Sequence, residues 1–336
     1  MRIAITSNDF RIGGAERQKV VLANALLRAG HDVTLVSLQA GGPVLDDRAA
    51  GVRYRPLRST FQGVFTDDYD LLITSATNTE VARGLMWALF RRRPWLATSH
   101  QPPSPVGRTY GRLKWWALRR ATSVVLLSNS HASSLQEESA GARIHIVPNA
   151  SDLERAQAAR TEVTDPLRFG FIGRLSEQKG LDILLRALDS VGPGSSPWRL
   201  DVYGDGPERE ELGALAAKFG ERVRFHGFSA TVDALDSMDV LLMPSRNEAQ
   251  PMVLLEAAAR GVPVVASDVG GVSEMLLNGA AGVLVQPTVE AWSAAVTDLL
   301  CEPGRLSALA GVALEQAWAY TPAEMATAYL ATLDVA

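Results

Sequence analysis

The chain has 336 residues, 47% of them hydrophobic and 21% charged, with a net charge of −4. That length is large for one core and predicts two domains, and the composition excludes a disordered chain. The single cysteine, Cys301, excludes a disulfide framework and a cysteine metal cluster.

Strand and helix signals alternate from the first residues onward, which predicts an α/β fold with parallel sheets. Arg2–Thr6 reads as a strand that starts at once, so no signal peptide is expected. Gly13 and Gly14 follow, opening a helix over Gly14–Ala29 that Gly30 stops. Strands are predicted at Val33–Leu38, Asp70–Ser75, Trp95–Ser99 and Ser123–Leu127. His100 stands at the end of the third of these, where a lone histidine is commonly structural or solvated. In the segment Arg108–Arg120, Arg112, Trp115, Trp116, Arg119 and Arg120 fall at helical spacings. That pattern fits an amphipathic helix with core tryptophans, and it also fits an interfacial helix on anionic lipid.

The polar stretch Ala150–Asp165, closed by Pro166, reads as the hinge between domains. The second half then restarts with a buried strand at Leu167–Ile172. Gly173-Arg174-Leu175-Ser176-Glu177-Gln178-Lys179-Gly180 follows and opens a helix over Leu181–Leu188. A glycine, an arginine and a lysine at the carboxyl end of a parallel strand have the layout of a phosphate clamp. Arg174 can grip a diphosphate bidentately and Lys179 can add a point charge; as plain surface groups they would pair with acids such as Glu177.

Further strands are predicted near Leu200–Tyr203, Val223–Phe225, Val240–Met243, Val264–Ala266 and Gly282–Val285. Between Val240–Met243 and Val264–Ala266 runs Glu248-Ala-Gln-Pro-Met-Val-Leu-Leu-Glu256. Pro251 suits the first position of a helix over Met252–Arg260, and Gly261 suits its stop. The helix start offers unpaired N–H groups to an anion, while Glu248 and Glu256 can accept hydrogen bonds from sugar and ribose hydroxyls. Helices around Val289–Leu300 and Arg305–Tyr320 precede a final one, capped by Thr321-Pro322 and running to Leu333.

The charge is uneven. Residues 1–150 hold 19 Lys and Arg against 11 Asp and Glu (+8), and residues 151–336 hold 14 against 26 (−12). The basic half should face an anionic acceptor, an anionic membrane or the acidic half. Neither half carries a basic-aromatic reading motif, so nucleic acid is not an expected partner. No uncharged apolar run approaches the ~18 residues that span a bilayer. A cytoplasmic location is expected, with peripheral contact at the inner membrane face as the alternative.

Taken together these motifs resemble the retaining nucleotide-sugar glycosyltransferases of the GT-B fold, specifically the family 4 group. The resemblance is carried by Gly13-Gly14-Ala15-Glu16, Val147-Pro148-Asn149, Phe171-Ile172-Gly173-Arg174-Leu175, Lys179-Gly180, Tyr203-Gly204-Asp205-Gly206-Pro207, Val223-Arg224-Phe225-His226-Gly227, Gly261-Val262-Pro263-Val264-Val265-Ala266 and the two glutamates. It implies two Rossmann-like domains facing a central cleft: an acceptor-binding domain (1–152), a linker (153–166), a donor-binding domain (167–320) and a crossover helix (321–336) returning to the N-terminal domain. It implies that Arg174 and Lys179 neutralise the leaving diphosphate, that Glu248 binds the donor sugar and Glu256 the ribose, and that His100 lies beside the sugar. Gly13, Gly14, Gly173, Gly204, Met252, Val253 and Leu254 complete the implied donor site, and Asn149, His131 and His226 have weaker claims. The implied donor is a nucleoside-diphosphate sugar, UDP-sugar foremost, acting as co-substrate with no metal or other cofactor. The acceptor is a hydroxyl of a small molecule, a glycan or a lipid-linked group, which the sequence does not distinguish. Where the family usually has glycine after the first glutamate, this chain has Ala249, which leaves the sugar open. A sugar-nucleotide epimerase or hydrolase, or a non-catalytic partner subunit, would use the same nucleotide cradle.

Overall fold

The computed structural model describes residues 1–11, 13–39, 41–57, 59, 68–100, 108–135, 139–160, 164–191, 197–302, 304–316 and 321–333, without the side chains of 108–112 and 306. It divides into two compact units, one formed by Met1–Asp152 with Tyr320–Ala336 and the other by Leu153–Ala319.

The first unit is built on seven parallel strands: β1 (Arg2–Ser7), β2 (Asp32–Ser37), β3 (Arg53–Pro56), β4 (Leu71–Ser75), β5 (Trp95–Thr98), β6 (Ser123–Leu126) and β7 (Ile144–Ile146). Their order in the sheet is β3-β2-β1-β4-β5-β6-β7. Ile3, Ala4 and Ile5 are all buried, as expected of a strand covered on both faces. Helices α1 (Gly14–Arg28), α2 (Asn78–Arg91), α3 (Arg108–Leu118) and α4 (Asn129–Ser134) join the strands. The strands that the sequence did not announce, β3 and β7, are the two edges of the sheet. Both are short and only partly buried, so neither carries the apolar run that marks an inner strand.

The second unit holds six parallel strands: β8 (Leu167–Ile172), β9 (Trp198–Tyr203), β10 (Val223–Gly227), β11 (Val240–Met243), β12 (Val264–Ser267) and β13 (Val283–Val285). They lie in the order β10-β9-β8-β11-β12-β13. The helices are α5 (Leu181–Asp189), α6 (Arg209–Ala216), α7 (Thr231–Asp236), α8 (Met252–Ala259), α9 (Val272–Met275), α10 (Val289–Cys301) and α11 (Arg305–Gln316). The start of the segment read as a hinge is tied down here: Ala156 N donates to Ala259 O and Arg160 N to Gly261 O.

A last helix, α12 (Pro322–Ala331), belongs to the first unit and packs on α1. Met325, Ala326 and Tyr329 join the β1 and β2 core. Its start is a full capping box between Thr321 and Glu324. Residues 317–320, the end of the helix expected over Arg305–Tyr320, fall outside the described residues. Trp115 and Trp116 part company. Trp115 is buried in the same core cluster as Trp87 and Trp95, whereas Trp116 is 45% exposed. Adjacent helical residues point about 100° apart, so only one of the two can face the core.

Candidate active site

In each sheet the chain order reverses at one place, between β1 and β4 in the first unit and between β8 and β11 in the second. Open α/β sheets bind ligands outside the carboxyl ends of the strands at such a reversal. The second unit puts its charged motifs there. Arg174 and Lys179 follow β8, and Glu248 and Glu256 follow the neighbouring β11.

The two loops are stapled to one another. Arg246 N donates to Gln178 O at 2.8 Å, and Gln178 Nε2 donates to Asn247 O at 2.9 Å. Arg246 also forms a bidentate pair with Asp182 at 2.7 and 2.8 Å. Hydrogen bonds from that guanidinium hold the Asp182 carboxyl below the usual carboxylate range. Gly180 lets the first loop approach closely: its φ is +66°, and a Cβ there would collide with the Pro244 carbonyl oxygen.

Across the staple, Lys179 Nζ donates to Glu248 Oε1 at 2.6 Å, and Ser245 Oγ donates to the same oxygen at 2.8 Å. Both bonds fall on Oε1, so Oε2 keeps its accepting capacity. Lys179 therefore pairs with Glu248 and not with Glu177. Arg174 is exposed and makes no hydrogen bond or ion pair with any described residue. Gly173 N donates to Tyr203 O, and Gly204 at φ +135° lies against the Gly173 carbonyl, where a Cβ would clash. A Cβ on Gly173 itself would meet only ordinary contacts with Phe171 and Lys179, so packing does not demand glycine there.

Glu256 lies inside α8 and is 4% exposed, an unusual depth for a carboxylate. Pro251 is the N-cap of α8, with φ −70° and ψ 125°, one position earlier than the sequence suggested. An extended ψ suits the residue flanking the helix, and Gly261 stops it at φ +62° as expected. The first N–H groups of α8, at Met252 and Val253, have no partner within the helix.

In the first unit Gly13 is the extended N-cap of α1, and the Glu16 carboxylate folds back over it. His100 follows β5. Its Nδ1 is buried and has no hydrogen-bond partner among the described residues, and burial, then Lys19, then His131 push its pKa down to about 3. Lys19 is 5% exposed and donates to Ser7 Oγ at 2.7 Å. The sequence reading missed Lys19, although a lysine in line with Leu22 and Leu26 on the apolar stripe of α1 was a visible signal. His226 is occupied within the fold, stacked 4.7 Å over Tyr203 with Nε2 at 2.7 Å from Asp201 Oδ1. His131 is buried with its backbone N–H on Ser128 Oγ, and Asn149 is buried too. Among the described residues no three His, Cys, Asp or Glu side chains gather as a group able to hold a metal ion.

Two family models match this chain, Glycosyltransferase Family 4 over residues 12–155 and Glycosyl transferases group 1 over residues 166–302. The chain belongs to these glycosyltransferases. It is 32% identical over 241 residues to the 2-deoxystreptamine glucosyltransferase of Streptomyces kanamyceticus, covering 61% of this chain and 62% of that protein. It is 34% identical over 219 residues to the D-inositol 3-phosphate glycosyltransferase of Rhodococcus jostii, covering 57% of this chain and 48% of that one. The chain thus spans about half to three-fifths of the length of these two relatives. Among solved structures, Anabaena HepE in complex with UDP-glucose superposes with a TM-score of 0.83 over all of both chains at 21% identity. That likeness shows the GT-B fold.

Proposed function

We propose that this chain transfers a sugar from a nucleoside-diphosphate sugar, UDP-sugar foremost, to an acceptor hydroxyl with retention of anomeric configuration. The observation that carries the reading is an arginine with no partner among the described residues, on the same loop as the part-buried Lys179–Glu248 pair, at the reversal point of the second sheet. Arg174 and Lys179 would stabilise the departing diphosphate, Glu248 Oε2 would accept from sugar hydroxyls, and Glu256 from the ribose. The bond from C1 to the diphosphate oxygen breaks, the acceptor oxygen bonds C1 on the same face, and the acceptor proton passes to the diphosphate. The resemblance assigns the acceptor to the first unit, with His100 at the end of β5 as its candidate sugar-binding side chain. Two cationic side chains supply the charge that a metal would otherwise supply, so no metal is required. The UDP-glucose complex of HepE favours a UDP-sugar.

The first unit has a partner of its own to meet, an anionic membrane at the cytoplasmic face. Residues 81–136 contain nine Lys and Arg and no Asp or Glu. The neighbouring helices α2 and α3 expose Leu89, Phe90, Leu113 and Trp116, four of the six large hydrophobic side chains exposed among the described residues. The Arg120 guanidinium stacks 3.8 Å over Trp116, an aromatic-cation pair suited to the headgroup level. No helix among the described residues is long and apolar enough to cross a membrane. Sedimentation with anionic vesicles at low and high salt tests this contact. Wild type should sediment at low salt only, and the Leu113→Ser/Trp116→Ser/Arg120→Glu variant should stay in solution. Wild type that ignores anionic vesicles at low salt leaves a small-molecule acceptor as the better reading.

A further inference from the structure

Glu248 is held from the ends of three neighbouring strands, and the holds differ in kind. Its main-chain carbonyl oxygen presses on Gly270, in the loop between β12 and α9. Gly270 has φ +55°, and a Cβ there would collide with that oxygen. Its side chain receives two bonds on Oε1, from Lys179 in the loop after β8 and from Ser245 in its own loop after β11. Arg246 and Asn247, between the serine and the glutamate, are both tied to Gln178. The backbone that carries Glu248 is therefore fixed, and its remaining freedom is the direction of the carboxylate.

Lys179 and Ser245 do not restrain that direction equally. Lys179 reaches Oε1 through a flexible four-carbon stem, and its side chain is 23% exposed. A compact charge on such a stem can follow a carboxylate that turns, or move toward an anion that arrives. Ser245 is 0% exposed, and a single side-chain rotamer sets its hydroxyl, so the oxygen stays where the backbone puts it.

We infer that Ser245 is a positioning residue, which fixes the Glu248 carboxylate with Oε1 occupied and Oε2 left to accept from the donor sugar. This rests on the reading of Glu248 as the sugar-binding carboxylate. A carboxylate oxygen has two lone pairs, so the lysine and the serine together saturate Oε1. When a diphosphate draws Lys179 away, the serine bond is the one that the ligand does not compete for. Without it the terminal torsion of the glutamate, which has no sharp minimum of its own, no longer presents Oε2 in one direction. A serine that only satisfied a buried charge would act on nucleotide and sugar alike. A positioning serine acts on the sugar alone.

Titration calorimetry of the full chain with UDP and with UDP-glucose tests this in wild type, Ser245→Ala, Glu248→Gln and the double variant. UDP carries the nucleoside and the diphosphate without the sugar, so the ratio of the two dissociation constants isolates the sugar contact. Ser245→Ala should weaken UDP-glucose about 10-fold, as for one hydrogen bond to a charged group, and leave UDP within about 2-fold of wild type. Glu248→Gln should weaken UDP-glucose at least as much, because a neutral amide accepts less strongly than a carboxylate. Adding Ser245→Ala to Glu248→Gln should then cost nothing further, since the serine acts through the glutamate. Equal weakening of UDP and UDP-glucose in Ser245→Ala, or additive losses in the double variant, overturns the proposal. An unchanged ratio in Ser245→Ala, with the ratio altered in Glu248→Gln, overturns the serine's role alone. An unchanged ratio in Glu248→Gln removes the sugar role of Glu248 itself, and the glycosyl-transfer reading then fails at that residue.

Discussion

Removing Lys179 and removing Arg174 should damage this protein in different ways. Glu248 is 6% exposed and holds two hydrogen-bond donors, Lys179 and Ser245. Lys179→Ala leaves that carboxylate buried with the serine alone. Breaking a buried pair costs roughly 3–5 kcal/mol. The Lys179 side chain keeps 23% of its exposure, and solvent screening reduces the cost to about 1–3 kcal/mol. At about 2–4 °C per kcal/mol for a unit of this size, the Tm should fall by roughly 2–12 °C. Arg174 has no partner among the described residues, so Arg174→Ala should leave stability within about 0.5 kcal/mol of wild type. Each variant should lose about 10²–10³ in kcat, the range for removing one group that stabilises developing charge. Lys179→Met with Glu248→Gln should recover the stability, since neither buried charge remains, while turnover stays low. Scanning calorimetry beside initial-rate assays reads both quantities. The reasoning is refuted if Arg174→Ala unfolds as early as Lys179→Ala, or if either variant turns over like wild type.

Three further outcomes follow from neighbouring features. Asp239 is buried, which raises its pKa, but hydrogen bonds from Arg168 and Thr164 outweigh this and leave it below the usual carboxylate range. A depressed carboxylate stabilises the fold above its unfolded pKa and loses that contribution as pH falls through its folded pKa. Asp239→Asn should therefore lower the Tm at neutral pH, with the gap to wild type closing below about pH 4; an equal gap at pH 3 and pH 7 would contradict the assignment. Gly204→Ala should destabilise by about 1–3 kcal/mol through its φ of +135° and the clash with the Gly173 carbonyl, and an unchanged Tm would count against that geometry. Activity should survive exhaustive chelation; a loss restored by Mg²⁺ or Mn²⁺ would overturn the metal-free reading.

The fold was legible where apolar runs are long. The inner strands, α1 and the Thr321-Pro322 start of α12 all carry local signals. The edge strands β3 and β7 do not, being short and half wetted. Pro251 and Gly261 marked the two ends of α8 to within one residue. What the sequence could not display is pairing at long range. Lys179 and Glu248 are 69 positions apart, and nothing local says that one neutralises the other before any ligand arrives. The same holds for α12 lying on α1, and for Tyr329 reaching Thr98 across 231 positions. Lys19 shows the opposite failure: its place on an apolar stripe was visible, and only the surrounding carboxylates make its burial intelligible.

The most direct test of the central claim is a mass-spectrometric screen of UDP-, GDP- and dTDP-sugars against hydroxyl acceptors, with Arg174→Ala as control. The account predicts an acceptor heavier by one sugar, one nucleoside diphosphate released per transfer, the anomeric configuration of the donor retained, and loss of product in the control. Donor that is hydrolysed or isomerised with no acceptor modified would contradict it.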